Sequence, residues 1–262
     1  MDISNAHVLI TGATGGIGEV LASTLAARGA RLIVTGRRPD AVQALADRFG
    51  GKAIAADLTD PEAPASIIAA AGRVDILIAN AGLPASGELT EYTVDEIDRA
   101  IDVNLRAPIV LSKLVAEQMV PRHSGHIVFM SSLSGKSAST QTALYNATKF
   151  GIRGFALALR EDLRPSGIGV SSVFPGPVRD AGMIADSKVA IPKVGTTTAV
   201  GVAGATVRAI EKNRAEVTVA PLPLRLATLI GSLAPETAAT LSRVTGSNSI
   251  MAEISEGQRD KR

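Results

Sequence analysis

Residues 11–18, Thr-Gly-Ala-Thr-Gly-Gly-Ile-Gly, constrain the fold more than any other stretch of the chain. They follow a short apolar run, His7-Val8-Leu9-Ile10, that reads as a buried strand. They open into Glu19–Ala26, whose apolar spacing is helical. Glycine here permits backbone angles closed to other residues and lets another group approach the main chain. A strand, a glycine turn and a helix in that order begin a βαβ unit. At such a junction the helix N-terminus offers unpaired N–H groups and a partial positive charge, which suit a pyrophosphate. The blander reading is a tight turn that binds nothing.

The rest of the chain repeats the same alternation. Strand-like runs are expected at His7–Thr11, Arg31–Thr35, Lys52–Ala56, Asp75–Ala79, His126–Ser131, Ile168–Phe174 and Glu216–Ala220. Several are almost continuously apolar, as parallel strands covered on both faces should be. Helix starts are marked between them. Pro39 suits a first helical position, as does Pro61 with Asp60 as its N-cap, and Thr93-Val94-Asp95-Glu96 has the form of a capping box. A long helix is expected from Ala143 to Leu163, stopped by Pro165 and Gly167. With no internal repeat or linker, the reading is one doubly wound α/β domain, a seven-stranded parallel sheet flanked by helices with right-handed crossovers. Residues 1–221 form its body, 222–252 a helical C-terminal extension, and 253–262 a charge-rich tail expected to be disordered.

Chemistry points to Tyr145 and Lys149, four residues apart on the long helix, with Ser132 thirteen residues before the tyrosine. A phenol has an ordinary pKa of about 10, and an ammonium one turn away makes its ionised form easier to reach. That arrangement suits the transfer of a proton to a carbonyl oxygen while a hydride reaches its carbon. Taken singly, each residue has an ordinary structural explanation: a half-buried phenol, a serine capping a turn.

Together these residues resemble the short-chain dehydrogenase/reductase family, in its single-domain branch. The Gly-x-x-x-Gly-x-Gly spacing differs from the Gly-x-Gly-x-x-Gly of two-domain dehydrogenases. The resemblance implies a Rossmann-type fold and a dinucleotide held by Thr11, Gly12, Thr14, Gly16, Ile17 and Gly18. It implies adenine contacts from Asp57-Leu58, further contacts from Asn80-Ala81-Gly82, and passage of the nicotinamide along Pro175, Gly176 and Val178. It assigns Asn104, Ser132, Tyr145 and Lys149 to catalysis, with Tyr145 and Lys149 also touching the cofactor. Lys149 would depress the tyrosine pKa and hold ribose hydroxyls. Asn104 would bind a water through a main-chain kink. Two positions depart from the pattern: Ala79 stands where a first asparagine is common, and Asp180 where a threonine often meets the nicotinamide amide.

The cofactor is partly legible. An NAD site usually has an acid at the end of the second strand to bond the ribose 2′-hydroxyl. Here Gly36 occupies that place and Arg37-Arg38 follow, a pair that suits a 2′-phosphate. NADP(H) is therefore expected, with NAD(H) the alternative. Asp40, the nearest acid, serves the next helix N-terminus. His7, His123 and His126 lack metal-ligand spacing and read as turn or strand-edge residues, so no metal is expected.

The pI near 9.0 overstates the basicity, because the formal charge is only +2. No basic cluster with interleaved aromatics calls for nucleic acid. The chain has no cysteine, which excludes disulfides and thiolate metal sites and fits a reducing, cytoplasmic setting. Neither a signal peptide at Met1–Ser4 nor a spanning helix is expected. A small, apolar substrate is expected, from Met183, Ile184, Val189 and Ile191 in the segment Arg179–Thr197. Leu222, Leu226, Leu229, Ile230 and Leu233 form a helical stripe that could be a lid, a subunit contact or, least supported, a peripheral membrane contact. A homodimer or homotetramer is expected. The readings from other classes are a dinucleotide-sensing regulator and an oligomeric scaffold. Either would have been free to lose Tyr145 or Lys149, and the chain keeps both.

Overall fold

Seven parallel strands form one sheet: β1 (His7–Ile10), β2 (Arg31–Gly36), β3 (Lys52–Ala55), β4 (Ile76–Ala79), β5 (His126–Met130), β6 (Gly169–Pro175) and β7 (Glu216–Val219). Their order is β3-β2-β1-β4-β5-β6-β7, and each lies within one residue of its expected span. The computed structural model describes residues 1–182, 195–237, 239–240 and 256–257. The expected apolar loop residues Met183, Ile184, Val189 and Ile191 lie outside the described residues, as does most of the 253–262 tail.

Alternation along the strands divides the core in two. Val8, Ile10, Ile76, Ile78, Val128 and Met130 point to one face, under α1 (Gly16–Ala26), α2 (Pro39–Phe49) and α7 (Ala199–Glu211). Leu9, Leu77, Ile127 and Phe129 point to the other, under α3 (Ala63–Ala71), α5 (Ala107–Met119) and α6 (Ala143–Leu163). Each fully buried aliphatic contributes about 1.5–3 kcal/mol, so a sheet apolar on both sides is stable only when both layers of helices are present. Two further helices are α4 (Val94–Ile101) and α8 (Leu222–Leu233).

Helix α6 has the expected bounds, and Gly167 beyond it takes φ +73°. The capping box of α4 is present, Glu96 N–H donating to Thr93 Oγ1 at 3.2 Å and Thr93 N–H to Glu96 Oε2 at 2.8 Å. The start of α3 differs from expectation. The Asp60 carboxylate accepts from Glu62 N–H at 2.9 Å, the bond expected of an N-cap before Pro61, but the regular helix begins at Ala63, with Pro64 in its first turn.

His126 is the other correction: it is 1% exposed, inside the sheet rather than at its edge. Its Nε2 lies 2.8 Å from Ser171 Oγ, and that hydroxyl donates to Arg214 O at 2.6 Å. The serine proton being spent, Nε2 must carry its own. Burial, reinforced by the N-terminal amine and Arg160, pushes the imidazole pKa down from 6.5 to about 3. The unfolded chain therefore binds a proton between those values that the folded chain refuses. Stability is complete above pH 6.5 and falls as pH drops toward 3. By pH 5 the loss should be about 2 kcal/mol, at 1.36 kcal/mol per pH unit. Urea unfolding of the parent and His126→Asn at pH 7 and pH 5 tests this: the variant should lose most of that pH dependence, and an unchanged pH dependence would remove His126 from the account.

Candidate active site

Strands β1 and β4 are neighbours, yet the chain leaves β1 for β2 on the other side, and a crevice opens between their C-terminal ends. The glycine turn forms its floor. Gly12 takes φ +61°, and a Cβ there would lie 2.8 Å from Ala81 Cα. At Gly18 a Cβ would meet Gly12 O at 2.3 Å, so the turn can close only around glycine. Thr11 is buried behind the turn, and its Oγ1 accepts from Asn80 N–H (3.1 Å) and Ala81 N–H (3.0 Å). Asn80 Nδ2 returns bonds to Thr11 O (3.0 Å) and Gly12 O (3.1 Å). Thr11 and Asn80 thus make one rigid unit of two loops.

The resulting cleft has a volume of about 2730 Å³, well beyond the roughly 300–1000 Å³ of a common small-molecule pocket. Its lining includes Gly12, Thr14, Gly16, Ile17, Gly18, Asp57, Leu58, Asn80, Ala81 and Gly82 at one end, and Pro175, Gly176 and Val178 on a side wall. No side chain caps the N-terminus of α1, whose first residues line the cleft. An uncapped helix start in a glycine cradle fits a dinucleotide pyrophosphate. Arg37 and Arg38 stand exposed at the rim beside Thr14, and among the described residues neither guanidinium has a protein acceptor. By contrast Lys136 and Arg153, which also line the cleft, are both spent on Glu216, at 2.8 and 2.6 Å.

The other end holds the reacting groups. Ser132 lies two residues past the end of β5, its Oγ accepting from Ser134 N–H at 3.2 Å. Tyr145, in the first turn of α6, is half-buried against Ala85, Ala100 and Leu144. Burial pushes its phenol up to about 12, against a smaller opposing pull from Ser132. Lys149 is 4% exposed, its Nζ 5.5 Å from the Tyr145 ring centroid and donating to Met130 O at 3.1 Å. Burial lowers its pKa to about 8. In the protein itself desolvation dominates both groups, and the ammonium donates to a carbonyl.

Asn104 is buried and does not line the cleft. It lies in a π-helical turn, Asp102–Arg106, which is the main-chain kink expected there. Its Oδ1 accepts from Leu83 N–H at 2.7 Å and its Nδ2 donates to Leu83 O at 3.0 Å, fixing the loop that continues from Asn80–Gly82.

Two features were not read as functional from the sequence. Asp180 Oδ1 accepts from Ala199 N–H at 2.9 Å, so this departure from the family pattern caps α7. Asn146 is buried beside Tyr145 and bonds the serine-rich loop after Ser132. A polar residue at a buried helical position facing a loop full of unpaired backbone is the signal that would have found it. Helix α8 puts Leu224, Ala227 and Ile230 along the cleft, while Leu222, Leu226, Leu229, Ile230 and Leu233 are 47–78% exposed in the protomer.

Comparison with known proteins agrees with this geometry. The family model for short chain dehydrogenases matches residues 6–190. The chain belongs to the short-chain dehydrogenase family. It is 33% identical over 243 residues to the ketoacyl reductase HetN of Nostoc sp., covering 87% of this chain and 85% of that one. A short-chain dehydrogenase from Sphingobium yanoikuyae in complex with NADPH superposes with a TM-score of 0.77 at 29% identity, over 89% of this chain and 95% of that one. A bulky-bulky ketone specific alcohol dehydrogenase from Comamonas testosteroni gives a TM-score of 0.74 at 27% identity, over 82% and 86%. The chain is an oxidoreductase of the short-chain type. Among the described residues, no helix is long and apolar enough to cross a membrane, and no group of three or more His, Asp or Glu could hold a metal ion.

Proposed function

We propose that this short-chain dehydrogenase interconverts a carbonyl and a secondary alcohol on an apolar substrate (a ketone, a 3-oxoacyl compound or a steroid-like molecule) with NADP(H). The observation that carries the reading is the Ser132–Tyr145 pair beside the buried Lys149, all three lining the same cleft as an uncapped, glycine-lined helix N-terminus. Neither a sensor nor a scaffold needs such a pair.

The α1 N-terminus and glycine turn would hold the pyrophosphate, Asp57-Leu58 the adenine, and Arg37-Arg38 the 2′-phosphate. Lys149 would hold the nicotinamide ribose. When bound, the nicotinamide supplies or accepts the hydride. Tyr145, protonated at neutral pH by its raised pKa, gives its phenolic proton to the substrate oxygen in reduction and removes it in oxidation. Ser132 accepts from Ser134 N–H, which leaves its own proton to donate to that oxygen and hold it in place. As the phenol ionises, the Lys149 charge stabilises the phenolate. Asn104 keeps Leu83 in position, and the π turn is where the family resemblance implies a water that extends the proton path. NADP(H) use is supported by the NADPH complex of the Sphingobium relative, and an apolar carbonyl by the ketoacyl and bulky-ketone relatives. NAD(H) is the second reading of the cofactor. A cytoplasmic setting suits a chain without cysteine.

A panel of ketones, 3-oxoacyl thioesters and their alcohols, followed by nicotinamide absorbance, tests the reading. Turnover should be found with apolar carbonyls and be faster with NADPH than with NADH. Dinucleotide binding without turnover of any carbonyl or alcohol would favour the sensor.

Helix α8 belongs to the same proposal. Five exposed aliphatics on one short helix are each worth about 1.5–3 kcal/mol when covered, and a homodimer or homotetramer would cover them. Light scattering should give a mass above the 26.9 kDa protomer. Truncation after Ala220 should raise KM for apolar substrates more than Kd for the cofactor. A monomer whose truncated form keeps its KM would reduce the stripe to local packing.

A further inference from the structure

We propose that Asn146 is a positioning residue that fastens the loop carrying Ser132 to the helix carrying Tyr145 and so fixes the separation of the two hydroxyls. This rests on the proposed roles of Ser132 and Tyr145. Asn146 is the residue after Tyr145 on α6 and is 7% exposed, so its amide must find partners within the protein. Its Nδ2 donates to Ser134 O at 2.6 Å and to Ser137 O at 3.1 Å, and its Oδ1 accepts from Thr142 Oγ1. Both amide hydrogens and the oxygen are thus engaged, and all three partners lie in the stretch between Ser132 and α6.

The first bond leads back to the reacting groups. Ser134, whose carbonyl Asn146 holds, donates its own N–H to Ser132 Oγ at 3.2 Å. The sequence of contacts therefore runs from α6 through Asn146 and Ser134 to the Ser132 hydroxyl, and Ser132 lines the same cleft as Tyr145, the residue before Asn146 on that helix. Close packing leaves the loop little room to find another arrangement: a Cβ on Gly135 would lie 2.6 Å from Ser131 Oγ and 2.7 Å from Lys149 O. Few other side chains would serve here. Aspartate would turn carboxylate oxygens toward two carbonyls, and leucine would fill the space while leaving both carbonyls unpaired.

The test is a double-mutant cycle on a substrate that the parent turns over. Asn146→Ala should lower kcat about tenfold to a hundredfold, the cost of misplacing a reacting group by a fraction of an ångström to 1 Å, with cofactor Kd within about twofold. In a Ser132→Ala background the same change should cost less than about threefold, because the hydroxyl it positions is already gone. Asn146→Ser, which keeps a donor in a smaller volume, should fall between parent and alanine, and it stands in for the alanine variant if circular dichroism shows that one unfolded. A full loss of kcat in the Ser132→Ala background, or an effect on KM alone, would overturn the proposal. Activity unaffected by Ser132→Ala itself would instead overturn the catalytic reading on which it rests.

Discussion

Tyr145→Phe is expected to lower turnover at least ~100-fold, the usual worth of a positioned general acid, while cofactor affinity changes little. The substitution keeps the ring that packs against Ala85, Ala100 and Leu144 and removes only the hydroxyl that carries the transferable proton, so folding should be unaffected. The reaction's two directions should also respond differently to pH. Reduction needs the protonated phenol, which a pKa of about 12 supplies throughout the neutral range. Alcohol oxidation needs the ionised form and should quicken as pH rises from 7 toward 8, above which Lys149 loses the charge that stabilises the phenolate. Steady-state kinetics with calorimetric cofactor titration checks both points. A phenylalanine variant as fast as the parent would mean that another group moves the proton.

The second large effect concerns the choice of dinucleotide. Replacing Gly36 with Asp and Arg37 with Ser should turn preference from NADP(H) toward NAD(H) by at least about tenfold. A charge-assisted hydrogen bond to the 2′-phosphate is worth roughly 1.5–3 kcal/mol, and the new carboxylate adds repulsion. A side chain at position 36 would begin 3.0 Å from Thr14 Oγ1 and 3.2 Å from Val42 Cγ2, contacts that need shifts of only a few tenths of an ångström. Dissociation constants for all four cofactor forms measure the swing. A parent that already prefers NADH would show that Arg37 and Arg38 are surface charges only.

The fold was largely legible because its signals are local. Buried parallel strands write themselves as apolar runs, and the glycine turn, the capping box at Thr93 and the stop at Gly167 each depend on nearby residues. Legibility failed where the deciding partner is distant in sequence. The burial of His126 depends on Ser171 and Arg214, which no local pattern announces. At the site, residue types and order marked Ser132, Tyr145 and Lys149, whereas the links among loops did not show. Thr11 reads as a ligand contact, yet it lies behind the cleft and joins β1 to the loop after β4. Helical spacing puts the lysine one turn from the tyrosine, but the desolvation of both groups and the bond to Met130 O belong to the folded protein.

Isotope transfer tests the central claim most directly. NADPH carrying deuterium at the transferable position of its nicotinamide should be incubated with the protein and an apolar ketone found active in the panel, and the alcohol analysed by mass spectrometry. The account predicts one deuterium, bound to the carbinol carbon, in the parent product, with product from Tyr145→Phe formed at least ~100-fold more slowly. Alcohol without deuterium at that carbon, or labelled alcohol formed as fast by the phenylalanine variant, would contradict it.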